Sequence, residues 1–203
     1  MRNNKRKGVR TLCTLADLKN RSVDDLRAHA CILPSEVPLD MDKLLKAWKI
    51  IATSKDLSPL EAIAADAVAK NGEILGAVGA PNGNVVMLFS KNSSEREARF
   101  TVAHELAHCC LHTDKLSDGY IYFRLKQLLS QEEEDEANRF ARDLLMPKEQ
   151  LLKDISSITN SEPKGLPPEH LIHRLAVKYQ VTERDMKEQL DSLVKDGALV
   201  GGL

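Results

Sequence analysis

The sequence predicts an α+β fold. A small antiparallel or mixed sheet packs on a histidine-bearing helix, a second helix brings acidic residues beside it, and a helical appendage closes the chain. Three stretches carry this expectation. Ser94-x-x-Glu97 is a capping box that starts a helix running through Arg99-Phe100-Thr101-Val102-Ala103-His104-Glu105-Leu106-Ala107-His108. Residues 73–78 and 84–89 are apolar runs joined around Pro81-Asn82-Gly83-Asn84, a strong hairpin signal. Residues 131–146 place Ala137, Phe140, Ala141, Leu144 and Leu145 at i, i+3, i+4, i+7 and i+8, one clean apolar face on a helix with an acidic start.

The remaining elements follow from local signals. The basic start, with Arg2, Lys5, Arg6, Lys7 and Arg10, reads as a weakly ordered or partner-contacting extension over residues 1–36. Within it Ser22 can cap a short helix reaching about Cys31, and Pro34 and Pro38 mark a boundary. Asp40 is the N-cap of a helix whose Met41, Leu44, Leu45 and Trp48 share a face, and Ile50 to Thr53 reads as a short strand. Ser58-Pro59-Leu60-Glu61 combines a capping box with proline at the first helical position, and Asn71-Gly72 ends that helix. The run Val85 to Phe89 lacks alternation, as expected of a strand buried on both faces.

Phe100, Ala103, Ala107, Cys110 and Leu111 line the core side of the histidine helix, which makes Cys109 and Cys110 packing residues. A loop over 113–119 leads to Tyr120-Ile121-Tyr122-Phe123. Pro147 stops the acidic helix, and 156–168, with Pro163, Gly165, Pro167 and Pro168, reads as a linker. Two helices follow, at about 168–179 and 183–195, with Thr182 as N-cap between them. The expected division is an extension over 1–36, a main domain over 37–150, and a linker with a C-terminal helical region over 151–203.

A chain of 203 residues that is 42% hydrophobic and 29% charged has the composition of a soluble globular protein with a real core. Its net charge of −1 argues against a broad nucleic-acid-binding surface. The four cysteines include no Cys-x-x-Cys spacing, so reduced thiols are expected rather than a cysteine zinc site. No apolar run approaches membrane-spanning length and no secretory leader is visible, so the expected location is the cytoplasm, without membrane contact.

His104-Glu105-x-x-His108 carries the chemistry. Histidines four apart on a helix lie about 40° apart around its axis, one turn apart, so both imidazoles reach one metal ion. Glu105 projects to the side of that face, where it can polarise a water on the metal. A catalytic zinc takes three protein ligands and keeps one open position, so a third ligand must come from elsewhere. On the acidic helix Glu132 and Glu136 point away from the apolar face, whereas Glu133 and Glu134 both lie within about 60° of its centre. Periodicity leaves those two open. His112 is a rival ligand, but it sits only eight residues after His104 with no glycine turn before it, and reads as a helix-end residue.

Taken together, the His104 helix with His112 following and Glu134-x-x-Ala137-Asn138-Arg139-Phe140-Ala141-x-x-Leu144-Leu145-Met146-Pro147 resemble the ImmA/IrrE family of zinc metallopeptidases. Val37-Pro38-Leu39-Asp40 and its helix match the usual start of that domain, and Ala107 stands where the family usually has glycine. The resemblance implies a zincin-like domain similar to the gluzincins. It implies Zn2+ held by His104, His108 and Glu134, with Glu105 as the catalytic residue. Asn138, four after Glu134, is then placed to hold a ligand in position. The transition state also needs an oxyanion donor, for which Tyr120, Tyr122, His170 and His173 are the chemically suitable residues.

The implied activity is that of a zinc-dependent endopeptidase acting on a protein substrate, a helix-turn-helix transcriptional repressor or an antitoxin-like partner, so that genes of a mobile element or stress response are derepressed. The hairpin strand nearest the active helix would hold the substrate by strand addition. Two other readings compete. One is a metal-bound regulatory protein that binds a repressor without cleaving it. The other is a DNA-binding regulator, since residues 175–186 have a helix-turn-helix rhythm. The second helix of that pair carries Glu183, Asp185, Glu188 and Asp191 against Arg184 and Lys187, which opposes phosphate contact and makes direct nucleic-acid binding unfavoured.

Overall fold

The computed structural model describes residues 12–63, 75–115, 121–123, 130–161 and 167–199. The expected helix end at Asn71-Gly72 and the residue Tyr120 lie outside them. The fold is α+β. In chain order the elements are α1 (Leu15–Leu18), α2 (Val23–His29), α3 (Met41–Trp48), β1 (Ile51–Lys55), α4 (Ser58–Ile63), β2 (Gly76–Gly79), β3 (Val86–Ser90), α5 (Glu95–Leu111), β4 (Ile121–Phe123), α6 (Gln131–Leu145), α7 (Lys148–Ser161), α8 (Pro168–Tyr179) and α9 (Glu183–Lys195).

The sheet runs β1-β3-β2-β4. The expected hairpin is present: β2 and β3 pair antiparallel with Gly79 opposite Val86, joined through a 3-10 turn at Pro81–Gly83 in which Gly83 takes φ +77°. β1 joins β3 in parallel, and β4 pairs antiparallel with β2, so the sheet is mixed. β3 has Met87 and Ser90 buried and Val86, Leu88 and Phe89 half-buried, so it is not fully buried on both faces as expected. β1 and β4 are the outer strands; β2 has a partner on each edge.

α5 lies at the centre, against β2 and β3 on one side and α6 on the other. Its capping box is formed as the sequence predicts, Ser94 accepting from the N–H of Glu97 while Glu97 accepts from the N–H of Ser94. Every residue from Thr101 to Cys110 is buried. A helix buried on all sides is ordinarily apolar all round; this one carries His104, Glu105 and His108 into the interior. Cys109 and Cys110 are fully buried and all four cysteines are free thiols.

Residues 12–36 differ from the expected loose extension. Thr14 and Ser22 each form a capping box that starts a short helix. Cys13, Leu15, Leu18, Leu26, Ala30 and Ile32 join the main core. The Cys13 carbonyl accepts from Val85, and Thr14 bridges to Asn84, so this segment extends the hairpin. Arg27 is buried and donates to the carbonyls of Leu144, Leu33 and Glu36 at 2.7, 2.9 and 3.0 Å, which ties the segment to the C-terminal end of α6. Basic residues at the start of the chain pointed to disorder, but the Leu15/Leu18/Leu26 spacing past Cys13 carries enough apolar surface to fold against the rest.

The linker expected over 156–168 is also shorter, because α7 continues to Ser161. α7 meets α8 through a buried carboxylate: Asp154 accepts from Tyr179 Oη at 2.8 Å and pairs with Lys178 Nζ at 2.8 Å. α8 ends at Gln180 in the left-handed region (φ 53°), the position where a helix pair of this kind commonly has glycine. The α9 helix then packs back on α6 through Arg142 to Glu188 at 3.0 Å and Gln189 to Asp143 at 3.1 Å.

Candidate metal centre

α5 and α6 together build the site. His104 and His108 project from successive turns of α5, and Glu134 comes from the first turn of α6; all three are buried. The three side chains offer donor atoms within 4.8 Å of one another. Nε2 of His104 lies 2.9 Å from Nε2 of His108, Glu134 Oε2 lies 3.4 Å from His104 Nε2, and Glu134 Oε1 lies 3.7 Å from His108 Nε2. Two ligands about 2.0–2.1 Å from a tetrahedral ion stand about 3.3 Å apart. The triangle therefore has the dimensions of three corners of a zinc tetrahedron.

The ring orientations support the same conclusion. Nδ1 of His104 donates to Oδ1 of Asn138 at 2.9 Å, which leaves the Nε2 lone pair facing inward. The His104 and His108 rings stand nearly perpendicular, at 81°, with their Nε2 atoms close to each other. Two imidazole nitrogens and a carboxylate converging in a buried space form a donor set suited to zinc. The residues present fit the ion.

The third ligand, left between Glu133 and Glu134 by periodicity alone, is separated by the helix cap. Ser130 is the N-cap of α6, and Glu133 returns to it in a capping box, accepting from the Ser130 N–H at 2.8 Å and from its hydroxyl at 3.2 Å. That engagement turns Glu133 outward, and Glu134 is the acid turned in. The Ser130-x-x-Glu133 signature was present in the sequence and is the signal that resolves the choice without any resemblance.

Glu105 is buried on the sheet side of α5, where β2 runs close by. A Cβ at Gly76 would lie 2.9 Å from Glu105 Oε1 and still closer to the Thr101 side chain. Only glycine lets the strand approach the helix this closely, a contact that sequence patterning did not flag. His112 is the C-cap of α5 and is outside the donor triangle, as expected, yet its ring nitrogen sits 3.0 Å from that of His108.

Four residues are chemically suited to be an oxyanion donor. Tyr120 lies outside the described residues. Tyr122 is in β4 opposite Val78. His170 and His173 are exposed on α8, and His173 is held by Glu183 at 2.7 Å.

An α+β fold whose central buried helix carries His-Glu-x-x-His, with an inward acid from the next helix, defines a protein of the HExxH metallopeptidase class. The family model of the IrrE N-terminal-like domain, Peptidase M78, matches residues 63–190, and the chain belongs to this family. At the level of the family it is a metallopeptidase. The match extends through α8 and most of α9, so the C-terminal helices fall inside the family's domain. No curated protein matches the chain. Among the described residues no helix is long and apolar enough to cross a membrane.

Proposed function

We propose that this protein is a zinc-dependent endopeptidase of the gluzincin type whose substrate is a helix-turn-helix repressor or an antitoxin-like protein. The observation that carries the catalytic part is the buried triangle of His104, His108 and Glu134 with Glu105 on the same helix. The substrate class rests on the family resemblance. Zinc held by the three side chains supplies Lewis acidity toward the scissile carbonyl and the attacking water. Glu105 takes the proton of that water on its carboxylate and returns it to the departing amine nitrogen. Asn138 holds His104 in the tautomer that keeps Nε2 free to bind. Strand addition by the substrate falls to an outer strand, β1 or β4, in this reading, because both hairpin strands, β2 and β3, are already paired on both edges.

Direct nucleic-acid contact has no part in this proposal. α9 carries Glu183, Asp185, Glu188 and Asp191, and its Glu188 and Gln189 are engaged with α6. A packing or substrate-docking role for α8 and α9 fits these contacts.

Glu105→Gln tests the mechanism. The variant is expected to bind one zinc per chain and to lose cleavage of a repressor substrate by about a thousandfold. Undiminished cleavage overturns the role of Glu105. A stable complex with the repressor that yields no fragments, with or without chelator, overturns the endopeptidase reading in favour of a metal-bound binder.

A further inference from the structure

His112 follows His108 by four residues at the end of α5, so its ring sits on the same face one turn further on. Its Nδ1 lies 3.0 Å from Nδ1 of His108, and its Nε2 lies 3.1 Å from Oε2 of Glu136 on α6. The directions of these two bonds follow from the chemistry at the ends. A carboxylate only accepts, so Nε2 of His112 carries the hydrogen and donates to Glu136. A neutral imidazole has one N–H, so Nδ1 of His112 accepts and Nδ1 of His108 must donate. His108 is then left with its lone pair on Nε2, the atom that faces His104 and Glu134.

We propose that Glu136 and His112 form a two-step relay that fixes the tautomer and ring orientation of His108 for metal binding; the inference rests on the metal-site reading above. Both are positioning residues, acting through His108. The two histidine ligands of α5 are thus held by different devices from the same partner helix. Asn138 orients His104 directly, whereas Glu136 orients His108 through an interposed ring. Glu136 is the acid that helical periodicity turns away from the core, and its side chain is half exposed, while His112 is 7% exposed. The relay therefore runs from the buried centre to the surface. Its inner member is expected to matter most, because solvent screens the outer one.

Zinc affinity, measured by competition with a chromophoric chelator, tests the proposal without any substrate. His112→Leu, which removes the acceptor, is expected to weaken zinc binding about ten- to a hundredfold. His112→Gln, whose amide oxygen accepts from His108 Nδ1, is expected to recover most of that loss; a variant acting only through packing would show no such rescue. Glu136→Ala, on the exposed side, is expected to lose about threefold, the scale of a solvent-exposed contact to a charged group.

Zinc affinity in folded His112→Leu within about twofold of the parent overturns the relay. If His112→Leu does not fold, Glu136→Ala and His112→Gln decide: parental affinity in Glu136→Ala overturns the relay, and weakened affinity there with near-parental binding in His112→Gln supports it. Absence of zinc binding in the parent protein overturns the metal-site reading itself, and the relay with it.

Discussion

Asn138 accepts a hydrogen bond from Nδ1 of His104 across 2.9 Å, one helical turn beyond Glu134. One face of α6 therefore supplies both a donor atom of the centre and the group that aims another. This explains why α5 and α6 must meet in a single register. A slip of one turn would separate Glu134 from the histidines and Asn138 from the ring it orients.

Asn138→Leu keeps a side chain of similar volume and removes the acceptor. Zinc affinity is expected to fall about tenfold or more while the fold is kept, and Asn138→Asp, which retains an acceptor oxygen, is expected to lose less. Chelator competition on the three proteins checks the order; equal affinity across them would remove Asn138 from the site.

Gly76→Ala places a methyl 2.9 Å from Glu105 Oε1 and closer still to the Thr101 side chain. Either β2 withdraws from α5 or the carboxylate turns. Peptidase activity is expected to drop about a hundredfold or more while zinc stoichiometry stays at that of the parent, since misplacing a catalytic group by about 1 Å has that effect. Adding Thr101→Ser removes the methyl on the helix side and should restore melting temperature more than activity. Full recovery of both would show that the contact with Thr101, not Glu105, is what matters.

Much of this architecture is written in local signals. The Ser94 and Ser22 caps, the Asn82-Gly83 turn and the apolar face of α6 are each decided within a few residues, and each forms as patterning predicts. His104 and His108 share a face by periodicity alone. What was not legible depends on partners distant in sequence. Gly76 matters because α5 passes 25 residues later, and Arg27 because the end of α6 lies 117 residues away. The His112–Glu136 contact joins an apparent helix end to an acid that periodicity assigns to solvent. The order of the segment from residue 12 to 36 has a related origin. Its capped helices of four and seven residues are too short to hold alone, so their stability comes from tertiary packing rather than propensity.

Arg27 shows how much that packing depends on one side chain. Its buried guanidinium satisfies three carbonyls, and burial lowers its pKa below the ordinary arginine value. Arg27→Met fills similar space but leaves the Leu144, Leu33 and Glu36 carbonyls without these donors. Unfolding by denaturant is expected to show a loss of about 3 kcal/mol, since each buried acceptor left unsatisfied costs about 1–3 kcal/mol and water can reach some of them. A loss below about 1 kcal/mol would mean that the Arg27 hydrogen bonds contribute little to holding residues 12–36 in place.

The buried thiols make a prediction about alkaline pH. Burial is the main cause that pushes Cys13 and Cys110 up to about 12, and it raises Cys109 well above its usual value. In the unfolded chain these thiols ionise near pH 9. Above that pH the unfolded state has released protons that the native state still holds, so fewer protons are bound on unfolding and stability falls as pH rises. The decline should run from about pH 9 to about pH 12, at about 1.4 kcal/mol per pH unit for each thiol at full slope. The same burial blocks reagents. At pH 8 an alkylating agent is expected to modify the exposed Cys31 in the native protein and all four cysteines only after unfolding. Mass spectrometry of the native protein before and after denaturation reads this directly, and rapid native labelling of Cys109 or Cys110 would mean that α5 opens far more readily than its packing against the sheet and α6 implies.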